Sequence, residues 1–137
     1  MKNYFHITMT KQEIDAFSNL GLAHLGDCVY ELLCRACLCD QGEHTVKQLH
    51  KYTVSLVTAP MQAQLVQKIL PVLTEEETAY YRRGKNAHSH AAPKSASPKE
   101  YAMATGLETL FGALYLAGQT DRLNELFHIM LGDLYCI

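Results

Sequence analysis

The sequence of 137 residues contains no long apolar run. None of its apolar stretches approaches the ~20 residues that a helix needs to cross a bilayer. The first residues, Met1 to His6, also lack the apolar segment of a secretory signal peptide. Both absences predict a soluble, cytoplasmic protein with no membrane partner. Because 48% of its residues are hydrophobic, the chain is expected to fold as one globular domain over residues 1–137.

Regular alternation of apolar and polar residues, the pattern of a half-buried strand, is missing as well. Signals for helix starts are instead frequent. The capping-box pattern, a Ser or Thr followed three residues later by Glu or Gln, occurs at Thr10, Thr45, Thr74 and Ser97. The sequence therefore predicts a single all-α domain of six or seven helices.

Glycine, proline and threonine mark several helix boundaries. Gly84 and Gly118 are each predicted to end a helix, because glycine is common just beyond a helix C-terminus. Pro60 is predicted to break or kink the helix that follows Thr45. Thr120 is predicted to cap the last helix.

The second predicted helix, over about residues 19–39, has its apolar residues on one broad stripe. The members of the stripe are Leu22, Leu25, Val29, Leu32, Leu33 and Ala36. On a helical wheel, Asp27 lies opposite this stripe, among neighbours too apolar for an ordinary solvated face. This helix is therefore expected to be central in the fold or covered by another subunit.

The cysteines do not form a complete set of zinc ligands. Four of the five, Cys28, Cys34, Cys37 and Cys39, fall on the second predicted helix. A structural zinc site usually takes four ligands from two separated pairs, and a second pair of cysteines is absent. Without a secretory signal, the cysteines are predicted to be reduced thiols rather than disulfides.

Acidic residues are absent between Arg82 and Lys99. Of 12 basic and 14 acidic residues in the chain, five basic ones and no acidic one lie in this segment, so the remainder has a net charge of −7. An otherwise acidic chain thus has one basic patch, which favours binding to a polyanion. A solvated loop beside a helix C-terminus, where cations are favoured, explains the charges equally well.

Two acids, Asp27 and Glu108, stand in apolar stretches that are predicted to be helical. An ionised carboxylate is costly to remove from water unless it is paired or bound to a metal. One shared metal site and two separate surface acids are the alternatives. Carboxylate oxygens with room for water would suit Mg²⁺.

Small residues accompany both acids. Gly26, next to Asp27, costs about 1 kcal/mol inside a helix, which predicts the close approach of another helix. Ala104 and Gly112 lie one turn from Glu108 and predict a notch around its carboxylate.

Two of these stretches, Leu25-Gly26-Asp27-Cys28-Val29 and Glu108-Thr109-Leu110-Phe111-Gly112-Ala113, resemble the two helical motifs of the ribonuclease III catalytic domain. Five segments in the same order are similar to the small Mini-ribonuclease III branch, which has no separate double-stranded-RNA-binding domain. These segments are residues 22–31, 49–50, 57–63, 82–87 and 104–108. The resemblance covers about residues 14–130 and implies a single ribonuclease III-like helical domain.

The resemblance implies a Mg²⁺-dependent endoribonuclease that cleaves double-stranded RNA. The implied substrate is the precursor of the large-subunit (23S) ribosomal RNA, with help from a large-subunit ribosomal protein. Asp27 and Glu108 match the family's catalytic, metal-binding acids. Ala23 and Thr105 stand where longer family members have further acids, so Glu31, one turn after Asp27, is a candidate to support the metal.

The resemblance also implies a homodimer, with one site for each RNA strand and the Asp27 helix at the interface. Without a separate RNA-binding domain, the basic loop at about residues 84–98 is expected to contact the RNA. The candidate contacts are Arg82, Arg83, Lys85, Asn86 and Lys94. A non-catalytic RNA-binding or scaffold protein with the same fold is the alternative function.

Overall fold

The computed structural model describes residues 1–87 and 96–135, except for the side chains of Asp133 and Tyr135. Helices account for most of these residues, and no strand occurs within the two described ranges. The prediction of an all-α fold is confirmed. The helices are α1 (Lys11–Asp15), α2 (Asn19–Asp40), α3 (Val46–Val57), α4 (Ala59–Val66), α5 (Glu75–Lys85), α6 (Pro98–Leu116) and α7 (Thr120–Tyr135), with a 3₁₀ turn at Leu70–Val72.

The central helix of the fold is α6. After Glu100 in its first turn, its one charged residue is Glu108, and most of its other side chains are buried. A helix that is apolar on all sides has to be covered on all sides. The cover consists of α2, α5, α4 and α7, of which α2 makes the most extensive contact. Both acid-bearing helices therefore pack directly on each other.

Glycines bring the backbones of α2 and α6 into contact. A Cβ atom added to Gly26 on α2 would lie 1.6 Å from the carbonyl oxygen of Glu108. A Cβ atom added to Gly112 on α6 would lie 2.1 Å from the carbonyl oxygen of Leu22. The close approach predicted from Gly26 is present. The space beside Gly112, predicted as part of a notch, is instead filled by the α2 backbone.

The predicted apolar stripe of α2 is right only in part: Leu22 and Val29 are buried, and Leu25 and Leu33 are half-buried. Leu32 is 51% exposed and Ala36 is also exposed, whereas Tyr30 and Cys34, which are not members of the predicted stripe, are buried. The packing face is centred on Gly26, because two helix backbones meet there. The helical wheel counted only large apolar side chains and gave no weight to glycine. The predicted stripe is therefore rotated about the helix axis relative to the observed packing face.

The position predicted for the end of α5 was also wrong. The helix continues through Gly84 to Lys85, and Gly84 is buried within it. A Cβ atom at Gly84 would lie 2.2 Å from Oγ1 of Thr109, so this glycine allows α5 to pack against α6. Consequently Lys85 is helical, and the non-helical segment begins at Asn86.

Most of the predicted helix starts are confirmed. Thr10, Thr74 and Ser97 form complete capping boxes, and Thr45 accepts a hydrogen bond from the backbone of Gln48. The prediction for Thr120 was wrong by one residue, since Thr120 is the first helical residue. The carbonyl of Gln119, the preceding residue, accepts the first bond of α7 from Leu123.

Pro60 interrupts the chain as predicted. α3 ends at Val57, and Thr58 caps α4, in whose first turn Pro60 lies. Proline is tolerated there because the first backbone N–H groups of a helix have no partner within it.

Within the described ranges, no helix is long and apolar enough to cross a membrane. The thiol of Cys34 is buried in the core, and burial raises its pKa to about 12. Cys34 therefore acts as a small apolar core residue with little thiolate character.

Candidate active site

Asp27 on α2 and Glu108 on α6 meet where the two helices cross. The glycine contact at Gly26 lets the helices approach closely enough for the two carboxyl groups to hydrogen-bond to each other. Asp27 is exposed on the outer side of the pair, and Glu108 is half-buried behind it. Residues that are 81 positions apart in the sequence thus form one acid pair, Asp27–Glu108.

The acid pair has an unusual electrostatic setting. Burial raises the pKa of Glu108 to about 8, and the charge of Asp27 and the hydrogen bond to it act in the same direction. Among the described residues, neither acid forms a salt bridge with a basic side chain. Two carboxyl groups without a base cannot both ionise at low cost, so the pair retains a proton or takes up a cation.

A third polar side chain reaches the acid pair from α4. The Nε2 atom of Gln62 lies 3.5 Å from Oε2 of Glu108 and donates to the carbonyl of Val57 at 2.9 Å. Gln62 was missed as a site residue, although it falls in the segment 57–63 that resembles the family. The residue type alone does not identify Gln62 as a site residue, because a Gln in an apolar helix has many structural uses.

Glu31 is not brought into the acid pair. Its carboxylate lies 2.8 Å from the guanidinium of Arg35, one turn further along α2. Among the described residues, no group of three or more His, Cys, Asp or Glu side chains is arranged to hold a metal. Support of the metal by Glu31 stays a prediction.

The donor set of the acid pair nevertheless fits Mg²⁺. Both acids provide hard carboxylate oxygens, Asp27 is open to solvent, and Mg²⁺ commonly keeps several waters while binding to one or two carboxylates. A divalent cation would also compensate the charge that raises the pKa of Glu108.

The predicted RNA contacts separate into two groups. Arg82, Lys85 and Asn86 are exposed at the C-terminal end of α5, whereas Lys94 lies outside the described residues. Arg83 points inward instead. Its guanidinium donates to Asn19 Oδ1 at 2.7 Å, to Asp15 Oδ1 at 3.2 Å and to the carbonyl of Phe17 at 3.3 Å. These contacts join α5 to the α1–α2 junction.

Comparisons with known proteins agree with this architecture. A family model described as the ribonuclease III domain matches residues 20–119, a range that contains both acids. The Mini-ribonuclease 3 of Symbiobacterium thermophilum is 49% identical over 106 residues, which cover 77% of this chain and 82% of that protein. The Mini-ribonuclease 3 of Clostridium tetani is 38% identical over 133 residues, which cover 96% and 88%. The chain belongs to the Mini-ribonuclease 3 branch of the ribonuclease III family.

A solved structure shares the fold of this family member. The crystal structure of a Fusobacterium nucleatum protein has a TM-score of 0.81 and 33% sequence identity, and covers 89% of this chain and 94% of that one. The predicted family and the ribonuclease III-like helical fold are confirmed. As a member of the ribonuclease III family, the protein is an endoribonuclease.

Proposed function

We propose that this ribonuclease III family member cleaves double-stranded RNA in a Mg²⁺-dependent reaction at the Asp27–Glu108 pair. The observation that carries the proposal is the meeting of two carboxyl groups at a helix crossing, with no base beside them in the part of the chain that the structure describes. Such an arrangement destabilises the fold, which favours a role in binding and catalysis.

Asp27 and Glu108 would hold the cation. When bound, Mg²⁺ would supply charge neutralisation at the phosphate and acidify the water that attacks it. The backbone contact at Gly26 and Gly112 fixes the distance between α2 and α6, so both carboxyl groups are set in place before substrate arrives. The half-buried position of Glu108 strengthens its interaction with a cation, because fewer solvent dipoles screen it.

The exposed basic end of α5 supports a nucleic-acid substrate. Arg82, Lys85 and Asn86 present donors to solvent, and duplex RNA is recognised mainly through its phosphates and 2′-hydroxyls. Arg83, whose guanidinium is engaged within the chain, would act by holding α5 in place.

The precursor of the large-subunit ribosomal RNA is the substrate that we propose, with a large-subunit ribosomal protein as a helper. This part of the proposal rests on the resemblance of the sequence to the Mini-ribonuclease III branch.

We also propose that two copies of the chain form a homodimer, one site for each RNA strand. The outer face of α2 supports this proposal, because Leu20 is 43% and Leu32 51% exposed, with exposed His24 between them. Light scattering at micromolar concentration should give the mass of two chains. A monomer under those conditions would contradict it.

The proposed function is tested by incubating the protein with duplex RNA and Mg²⁺ and mapping the ends that form. Asp27→Asn should abolish cleavage but leave duplex binding largely intact, since the amide keeps the shape of the carboxylate but not its charge. Asp40→Asn, the same change on the same helix, is the matched control and should cleave normally.

Normal cleavage by Asp27→Asn would contradict the assignment. If the wild-type protein binds the duplex but never cuts it with Mg²⁺, the alternative of a non-catalytic RNA-binding or scaffold protein would be supported instead.

A further inference from the structure

Gln62 on α4 is buried beside the acid pair. The residue is 2% exposed, and its amide lies between the carbonyl of Val57 and the carboxyl of Glu108. Its Oε1 atom is shielded from solvent and has no hydrogen-bond partner among the described residues. A buried amide that is only half satisfied requires an explanation.

The backbone fixes which end of the amide faces Glu108. The carbonyl oxygen of Val57 can only accept a hydrogen bond, so the –NH₂ group of Gln62 must point toward it. The second hydrogen of the same –NH₂ group is then available to Glu108 Oε2 at 3.5 Å. Hydrogen bonds at catalytic groups are often long before substrate or metal binds and shorten afterwards.

The hydrogen bond to Val57, at the C-terminal end of α3, has a structural role, but it uses only one hydrogen of the Gln62 amide. Leucine has nearly the same volume; it would remove the unsatisfied oxygen but also the donor to the Val57 carbonyl. The second hydrogen of the amide reaches the acid pair, where a purely structural bond is not needed. Groups that donate to a ligating carboxylate orient it and commonly affect metal affinity.

Building on the proposed function, we propose that Gln62 is a positioning residue of the acid pair. Its Nε2 atom holds the Glu108 carboxylate in the orientation that binds Mg²⁺. Its hydrogen bond to the carbonyl of Val57 fixes the amide at the α3–α4 junction, so the amide holds the carboxylate from a fixed position.

The chain contains a matched control at Gln48 on α3. Gln48 also has a buried Oε1 atom without a partner among the described residues, and no side-chain hydrogen bond described links it to Asp27 or Glu108. Replacing either glutamine by leucine removes the same chemical group, a side-chain amide with a buried oxygen. Only the change at Gln62 should affect the acid pair.

The experiment is a calorimetric titration of RNA-free protein with MgCl₂. Gln62→Leu should bind Mg²⁺ about tenfold more weakly than wild type, whereas Gln48→Leu should bind as wild type does. Unfolding temperatures in EDTA check that both leucine variants are folded.

Wild-type affinity in folded Gln62→Leu, or an equal loss in Gln48→Leu, would overturn the positioning role and leave the proposed function standing. Absence of Mg²⁺ binding by the wild-type protein would overturn both. If Gln62→Leu does not fold, Gln62→Met replaces it. Failure of both variants to fold would also overturn the proposal, because the residue would then serve the fold itself.

Discussion

Glu77 on α5 and Glu108 on α6 are both largely withdrawn from solvent, but their neighbours differ in charge. The Glu77 carboxylate accepts hydrogen bonds from Nε and Nη2 of Arg122 at 2.8 and 2.9 Å, and the pKa of Glu77 is lowered mainly by Arg122. Glu108 faces another acid, Asp27, and its pKa is raised to about 8. The first acid contributes to stability and the second reduces it.

The contrast shows how a stabilising acid can be told from a functional one. Glu77 has a base and also completes the capping box with Thr74, so its charge is compensated at several points. Among the described residues, the acid pair has no base beside it, and it takes part in none of the complete capping boxes. An uncompensated acid at a helix crossing retains a proton or takes up a cation, and a divalent cation would compensate both carboxylates.

The largest expected effect on stability is at Arg122. Arg122→Leu should lower the free energy of unfolding by about 3–5 kcal/mol, because it leaves the Glu77 carboxylate buried without its partner. Urea titration measures this loss. The double variant Arg122→Leu/Glu77→Gln should recover part of the lost free energy of unfolding. Unchanged stability of Arg122→Leu would show that Glu77 does not depend on Arg122, contrary to the comparison.

A smaller effect of opposite sign is expected at Glu108. In EDTA at pH 8, Glu108→Gln should increase the free energy of unfolding by on the order of 1–3 kcal/mol, because it removes a carboxylate whose ionisation burial and Asp27 oppose. The same variant should not cleave RNA. A loss of stability in EDTA would show that the acid is compensated after all.

Glu108 and Glu77 should affect the free energy of unfolding in different pH ranges. Because the pKa of Glu108 is about 8 in the folded protein and 4.5 ordinarily, the folded state binds a proton more tightly between these values. In EDTA the free energy of unfolding should therefore fall as pH rises from about 4.5 to about 8. Glu108→Gln should remove this slope, and an identical slope in the variant would assign it to another group.

Glu77 has the opposite sign. Its lowered pKa means that its contribution is complete above its ordinary value of 4.5 and is lost as pH falls through its folded-state pKa. Denaturation at low pH should therefore begin at higher pH in Arg122→Leu than in wild type. Coincident acid transitions would contradict this reading of the ion pair.

The smallest effect concerns the basic residues of α5, of which one, Arg83, is expected to stabilise the fold and another, Lys85, to contact RNA. Lys85→Ala should leave the unfolding temperature unchanged and reduce the slope of log affinity for duplex RNA against log salt by about one unit. Arg83→Ala should lower the unfolding temperature, because it breaks the contacts with Asp15 and Asn19. A stable Arg83→Ala protein that binds RNA poorly would make Arg83 an RNA contact.

Local patterns predicted the features that depend on neighbours in sequence. The capping boxes at Thr10, Thr74 and Ser97 formed because their partners lie three residues away. The close approach at Gly26 was predictable because a glycine inside a helix requires a local reason.

Several features that depend on distant partners were not predictable from local patterns. Arg83 looked like one more cation of a basic segment, but its partners Asp15 and Asn19 are more than 60 residues away. Gly84 looked like a helix end because its contact with Thr109 on α6 has no local signal. Gln62 was missed for the same reason, since its distance to Glu108 is set by the packing of α4 on α6.

The most direct test of the acid pair as a cation site is the unfolding temperature of wild type and Glu108→Gln at pH 8, each in EDTA and in excess MgCl₂. In EDTA the variant should unfold at the higher temperature. Mg²⁺ should raise the unfolding temperature of the wild type and leave that of the variant unchanged, because a ligand stabilises only the protein that binds it. Equal shifts in the two proteins, or none in the wild type, would contradict the assignment of Asp27 and Glu108.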